Sequence, residues 1–240
     1  MKYLLKCIWS LYLDKKLYEV SQKILSKNDI KANELREIYK EKNLYVINLM
    51  SSPGSGKTTL LEQFAINKYF SFAVIEGDLE TNRDSMRLQK RGIEAYQITT
   101  GDACHLEAAM IERAYSALES SRKLENIDFL FIENVGNLVC PASYDLGANI
   151  NIVLLSTPEG DDKILKYPTM FMIADIVLIT KSDIMEYFDF SIENIKSNIN
   201  KINPKSKLFV VSNKDKDSLN KIADYLIYCK TNNIISKHQY

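Results

Sequence analysis

Within eight residues, Ser51-Ser52-Pro53-Gly54-Ser55-Gly56-Lys57-Thr58 bring together two glycines, an ammonium group and several hydroxyls, a set suited to gripping phosphate. Gly54 and Gly56 have no Cβ, so the backbone there can wrap closely around phosphate oxygens, with Ser55 and Thr59 in the same cradle. Lys57 has the reach for β and γ phosphates, and Thr58 offers the hard oxygen that Mg²⁺ prefers. The apolar run Leu44 to Met50 reads as a strand and Thr59 to Phe64 continues with helical spacing, which is the context this motif requires. Ser51 stands where the pattern usually begins with Gly, at a strand-end turn that accepts Ser.

Two acids follow later apolar runs. Asp78 and Glu133 are suited to hold Mg²⁺, with Thr58, or its waters, and to orient an attacking water, which makes Lys57, Asp78 and Glu133 the candidate catalytic set. Either acid alone could instead serve a helix N-terminus, but the functional reading is the favoured one. Glu133-Asn134-Val135-Gly136 stands where GTPases carry Asp-x-x-Gly, whose Gly N–H senses the γ-phosphate. Further on, Thr180-Lys181-Ser182-Asp183 offers a carboxylate that can accept from guanine N1–H and the 2-amino group, a donor pair that adenine lacks. Lys181 would cover the base with its alkyl stem. Thr180 takes the place of the usual Asn, removing a side-chain amide that fixes base and phosphate loop. Ser212-Asn213-Lys214 resembles the loop whose backbone N–H groups meet guanine O6. The nucleotide expected is therefore GTP.

Cys104-His105 places a thiol beside an imidazole, and Cys140 lies seven residues beyond Glu133, within reach from a neighbouring loop. Together they suit a soft metal such as Ni²⁺ or Zn²⁺, although two unrelated buried cysteines would read the same way by spacing. Three ligands are too few for a closed four-coordinate structural site, so a second copy or a partner is expected to complete it.

These groups need a scaffold that brings loop ends together. Apolar runs recur at Phe72 to Ile75, Ala95 to Ile98, Asp128 to Ile132, Ile150 to Leu155, Asp175 to Ile179 and Lys207 to Val211, most of them separated by polar segments of helical character. That alternation predicts an α/β fold, a mostly parallel sheet flanked by helices, with ligands beyond the carboxyl ends of the strands. Before it, residues 1–43 read as a helical segment packed on a phosphate-loop domain of residues 44–240. Val20, Ile24, Ile30, Leu35 and Ile38 form its stripe, and Asn28-Asp29 is a point where one helix could break or a second be capped.

Composition narrows the classes. With 31 basic and 31 acidic residues the net charge is zero, which leaves no basic excess for nucleic acid or an anionic membrane. Four widely spaced cysteines do not form a disulfide framework and point to a reducing, cytoplasmic setting. The apolar start Met1 to Leu13 is interrupted by Lys6 and has no small-residue cleavage site, so a short amphipathic helix is expected rather than a signal peptide. Nothing approaches the ~20 apolar residues of a membrane span.

Four stretches carry a family resemblance: Asn48 to Leu61, Thr100 to Ala108, Ile132 to Pro141, and Glu159-Gly160-Asp161-Asp162-Lys163 through Pro168. In this order they resemble the HypB family of hydrogenase nickel-incorporation GTPases, from about residue 20 to residue 230. The resemblance implies a P-loop NTPase, a GTPase of the SIMIBI class, that hydrolyses GTP and forms a GTP-dependent homodimer. It also implies nickel or zinc at the dimer interface, a small nickel-binding accessory protein of HypA type, and the large subunit of [NiFe]-hydrogenase as recipient. The chain lacks the Cys-x-x-Cys-Gly-Cys or His-rich N-terminal segment of many members, and Ala109 stands where some carry a second His. The competing readings are a urease-type accessory GTPase, whose expected Cys-Pro-His is missing, a cobalamin-enzyme-type accessory GTPase, and a metal-binding module with a vestigial nucleotide site.

Overall fold

The computed structural model describes the backbone of residues 2–78 and 83–236, with side chains described from residue 21 onward. Seven strands form one sheet: β1 (Tyr45–Ser51), β2 (Phe72–Asp78), β3 (Glu94–Thr99), β4 (Phe129–Glu133), β5 (Ile150–Ser156), β6 (Ile176–Thr180) and β7 (Lys207–Val210). They lie in the order β3-β2-β4-β1-β5-β6-β7, and every pairing is parallel. β1, β4 and β6 are buried along their whole length, as continuous apolar runs covered on both faces must be. All seven apolar runs in the sequence became strands, within a few residues at each end.

One face of the sheet is covered by α2 (Lys57–Asn67), α3 (Arg83–Lys90) and α8 (Lys216–Thr231), whose Leu60, Phe64, Leu88, Ile222 and Leu226 join the sheet residues in one continuous core. Phe64 anchors it, packing edge-on against Phe70 at 5.3 Å and Tyr69 at 6.0 Å. Burial of a side chain of that size contributes roughly 1.5–3 kcal/mol. The opposite face carries two cores. α1 (Lys2–Glu41) and α4 (Ala108–Ser120) cover β2, β4 and the start of β1, while α5 (Lys163–Lys166), α6 (Pro168–Met172) and α7 (Ile192–Ile202) cover β5 and β6. Between β4 and β5 only a 3-10 turn at Cys140–Ser143 intervenes, so that connection stays a loop rather than a covering helix.

The N-terminal segment is one helix, neither broken nor doubled at Asn28-Asp29. Asn28 instead reaches outward: its amide donates to the Asp145 carbonyl at 2.8 Å, and its side-chain oxygen accepts the Ala108 N–H, which opens α4, at 2.9 Å. The residue that sequence reading treats as a break or local cap therefore serves a different helix. Arg36 grips both oxygens of Asp145 at 2.6 and 2.5 Å, and Ala32, Leu35 and Tyr39 enter the core beside Ile111 and Tyr115. The Ala32 carbonyl comes so close to Gly147 that a Cβ there would sit 2.7 Å from it. The amphipathic character expected of Met1 to Leu13 falls on side chains outside the described residues.

β1 is the centre of the arrangement. The chain moves outward from it on one side to β2 and β3, returns to β4, then crosses to β5, β6 and β7 on the other. Such a reversal opens a crevice at the carboxyl end of β1, where the phosphate loop begins.

Candidate functional site

The loop after β1 has the backbone that its glycines allow. Gly54 and Gly56 hold φ of +73° and +98°, a region open to Gly and costly for other residues, and Gly56 leads directly into α2. Lys57 and Thr58 occupy the first turn of that helix and are buried. The Lys57 ammonium donates to Ser51 Oγ at 3.0 Å, so the residue that departs from the usual Gly orients the lysine. Thr58 Oγ1 donates to Glu133 Oε1 at 2.7 Å, bringing the ends of β1 and β4 together.

Glu133 is 4% exposed, and its second oxygen, Oε2, has no hydrogen-bond partner. Burial pushes its carboxyl up from the usual range, while Lys57 and the Thr58 hydroxyl pull the other way. A buried carboxylate oxygen beside a threonine hydroxyl and a lysine fits a bound Mg²⁺ or one of its waters. Asp78, at the end of β2, is half-buried, and its carbonyl accepts the Thr100 N–H at 2.9 Å. It lies near enough to raise the pKa of Glu76, the buried neighbour of Glu133.

At the other end of the loop, Gly54, Ser55, Gly56, Thr59, Thr180 and Lys181 line a cleft of about 240 Å³, together with Asn213. Thr180 Oγ1 donates to the Ser55 carbonyl at 2.7 Å, so the residue replacing Asn keeps a tether to the phosphate loop. Asp183 accepts from Ser212 Oγ at 2.8 Å and from the Lys214 ammonium at 2.8 Å. Lys214 and Ser212 together hold its carboxyl below the usual range. The side chains expected to read the base thus gather at the ends of β6 and β7.

Glu159 is a site residue whose role sequence reasoning missed. Its Oε1 accepts from Ser55 Oγ at 2.7 Å, from Ser156 N at 2.9 Å and from Ser156 Oγ at 2.7 Å, which clamps the phosphate loop to the end of β5. Burial raises its pKa, but hydrogen bonds from Ser52, Ser55 and Ser156 outweigh that and leave it ionised below the usual range. The available signal was Ser156 followed three residues later by Glu159, the spacing of a capping box.

The thiols and the imidazole also meet. The potential ligand atoms of Cys104, His105 and Cys140 all lie within 4.8 Å of one another, with Cys104 Sγ 2.8 Å from Cys140 Sγ. His105 stacks on Tyr144 with centroids 3.8 Å apart, and its Nε2 stands 3.6 Å from Glu107, too far for a hydrogen bond. Two thiols and an imidazole suit Ni²⁺ or Zn²⁺. Asn137 ties the two loops by donating to the Cys104 carbonyl at 3.3 Å while its side-chain oxygen accepts Val139 N–H at 2.9 Å. Gly136 packs so tightly on the phosphate loop that a Cβ would lie 2.9 Å from Pro53 backbone atoms. One short connection therefore carries Glu133, the contact with the phosphate loop and Cys140.

Residues 45–210 match the CobW/HypB/UreG nucleotide-binding domain. The hydrogenase/urease maturation factor HypB of Helicobacter hepaticus is 58% identical over 228 residues, covering 95% of this chain and 94% of its own. Among solved structures, HypB of Helicobacter pylori in complex with nickel superposes with a TM-score of 0.87 at 57% identity, over 89% of this chain and all of that one. The hydrogenase maturation factor HypB of Archaeoglobus fulgidus gives 0.76 at 35% identity, over 85% of this chain and 99% of that one. The matched residues span the phosphate loop and all seven strands, and the chain belongs to the CobW/HypB/UreG family, on its HypB branch.

Proposed function

We propose that the protein is a cytoplasmic GTPase that hydrolyses GTP to GDP and phosphate and uses that cycle to hand nickel on during metalloenzyme maturation. The recipient proposed is the large subunit of [NiFe]-hydrogenase, reached with a small nickel-binding accessory protein. The Helicobacter relative is named for both hydrogenase and urease, so a urease remains a second recipient to test. The observation that carries the reading is the connection from Glu133 to Cys140, which touches the phosphate loop at Gly136 and holds a thiol of the soft-metal cluster at its far end.

In this reading Asp183 selects guanine, while Lys181 covers the base and Ser212, Asn213 and Lys214 approach its O6 edge. Thr180 and Glu159 hold the phosphate loop in shape from β6 and β5. Thr58, Asp78 and Glu133 would hold Mg²⁺, which when bound neutralises charge building on the β and γ oxygens. Lys57 stabilises the same charge, and Glu133 and Asp78 orient the water that attacks the γ-phosphorus. Cys104, His105 and Cys140 hold the nickel, or zinc, as cargo. Three ligands per chain leave room for a second copy to complete the coordination, in a homodimer that forms with GTP bound.

GTP turnover by the purified protein, assayed as phosphate release, tests the enzymatic half. Lys57→Ala should lower turnover by about 100-fold or more, the usual scale for losing one group that stabilises transition-state charge. The folded circular dichroism spectrum should be unchanged. Turnover that is absent in the original protein, or equal in the variant, would support a vestigial nucleotide site instead.

A further inference from the structure

Glu76 is an acid in the wrong place for a structural residue. It lies within β2, is 2% exposed, and its Oε2 has no hydrogen-bond partner. A carboxyl taken out of water without a full set of partners costs several kcal/mol or loses its charge, so a strand core of Ala73, Val74 and Ile75 gives no reason to place one there. The Ser85 N–H in the first turn of α3 donates to it, which accounts for one oxygen only.

Its register shows where the remaining oxygen can act. Glu76 pairs with Glu133 across the parallel β2 and β4 ladder, so the two carboxylates project from the same face of adjacent strands about 4.8 Å apart. That face is the one on which α2 begins, with Thr58 already bonded to Glu133. Two buried carboxylates, each with an unpartnered oxygen, thus converge beside a threonine hydroxyl at the opening of the phosphate-loop helix. A divalent cation with its ordered water satisfies both oxygens at once and offsets their mutual repulsion.

We propose that Glu76 is a positioning residue for the nucleotide-bound Mg²⁺, holding its water shell jointly with Glu133 while anchoring the first turn of α3 through Ser85. Glu76 joins the end of β2 and α3 to the same ion that Thr58 and Glu133 serve. This inference rests on the nucleotide site proposed above.

The test is the affinity of the full-length protein for a fluorescent GDP analogue, measured with excess Mg²⁺ and with chelator, for the original chain, Glu76→Gln and Glu76→Met. In both variants the tightening produced by Mg²⁺ should shrink by about tenfold, in line with the 10 to 100-fold loss of metal affinity typical of outer-shell partners. Affinity in chelator should match that of the original chain, because Glu76 acts on the nucleotide through the ion. Glu76→Gln, whose amide oxygen still accepts the Ser85 N–H, should melt no lower than the original in chelator, while Glu76→Met loses that anchor and should melt lower. An unchanged Mg²⁺ effect overturns the proposal, and so does an equal loss in both buffers, which marks a purely structural role. If the original protein binds no GDP in either buffer, the nucleotide site itself is overturned and this assignment with it.

Discussion

Asp183 accepts from Ser212 and Lys214, which fixes the plane of its carboxylate three residues beyond Thr180, a lining residue of the phosphate-loop cleft. Asp183→Asn should weaken GTP by on the order of 10 to 100-fold, from the ~1.5–3 kcal/mol of a hydrogen bond to a charged group. It should improve xanthosine triphosphate, whose 2-oxo group can accept from the new amide. Competition against a fluorescent guanine nucleotide checks both, and equal competition by ATP in the original protein would remove the base assignment. Thr180 shows how far a single residue can be read. Its replacement of Asn was visible, and the loss of a base-fixing amide follows from chemistry alone. That its hydroxyl still tethers Ser55 depends on the approach of β6 to the phosphate loop, which no local pattern encodes. Glu76 escaped notice because it follows an apolar run by one position and reads as the polar end of a strand. Its burial is set by the return of α3 over the end of β2 and by β4, which is distant in sequence.

At the scale of elements, the inner strands were legible because a strand covered on both faces must be apolar throughout, while the edge strands β3 and β7, only partly buried, showed as shorter runs between polar segments. The N-terminal helix was less so. Asn and Asp are weak helix formers that compete for backbone hydrogen bonds, so Asn28-Asp29 suggests a break. The helix continues because Asn28 meets Ala108 N–H and the Asp145 carbonyl, contacts made across 80 and 117 residues. Asn28→Ala should destabilise the fold by about 1–3 kcal/mol, because it strands a buried amide at the start of α4. In a chain of this size that lowers the melting temperature by about 2–4 °C per kcal/mol, measurable by calorimetry. An unchanged melting temperature would show that α1 docks through its apolar face and the Arg36–Asp145 pair alone.

For the whole molecule, the contact of Gly136 with Pro53 predicts that nucleotide and metal bind with linked affinities. A γ-phosphate that shifts this connection moves Cys140 relative to Cys104 and His105, and linkage requires metal to alter GTP affinity by the factor with which GTP alters metal affinity. Nickel and zinc affinities, measured by competition with a chromophoric chelator in the GDP and GTP-analogue states, should differ by about 5 to 150-fold. Cys140→Ala should abolish that difference and leave nucleotide affinity in metal-free buffer nearly unchanged. Equal metal affinity in the two states would leave a GTPase and a metal site without communication.

The position of β1 at the centre of the sheet has an evolutionary consequence. The side chains expected to read the base, and the tethers from Glu159 and Thr180 to Ser55, come from the ends of β5, β6 and β7 on one side of it. Asp78, Cys104, His105, Glu133 and Cys140 all come from connections after β2, β3 and β4 on the other. If the proposed function holds, the soft-metal ligands Cys104, His105 and Cys140 could be exchanged in a lineage on this scaffold without touching the base-reading flank, but only while their neighbours Asp78, Glu133 and Gly136 keep serving the phosphates.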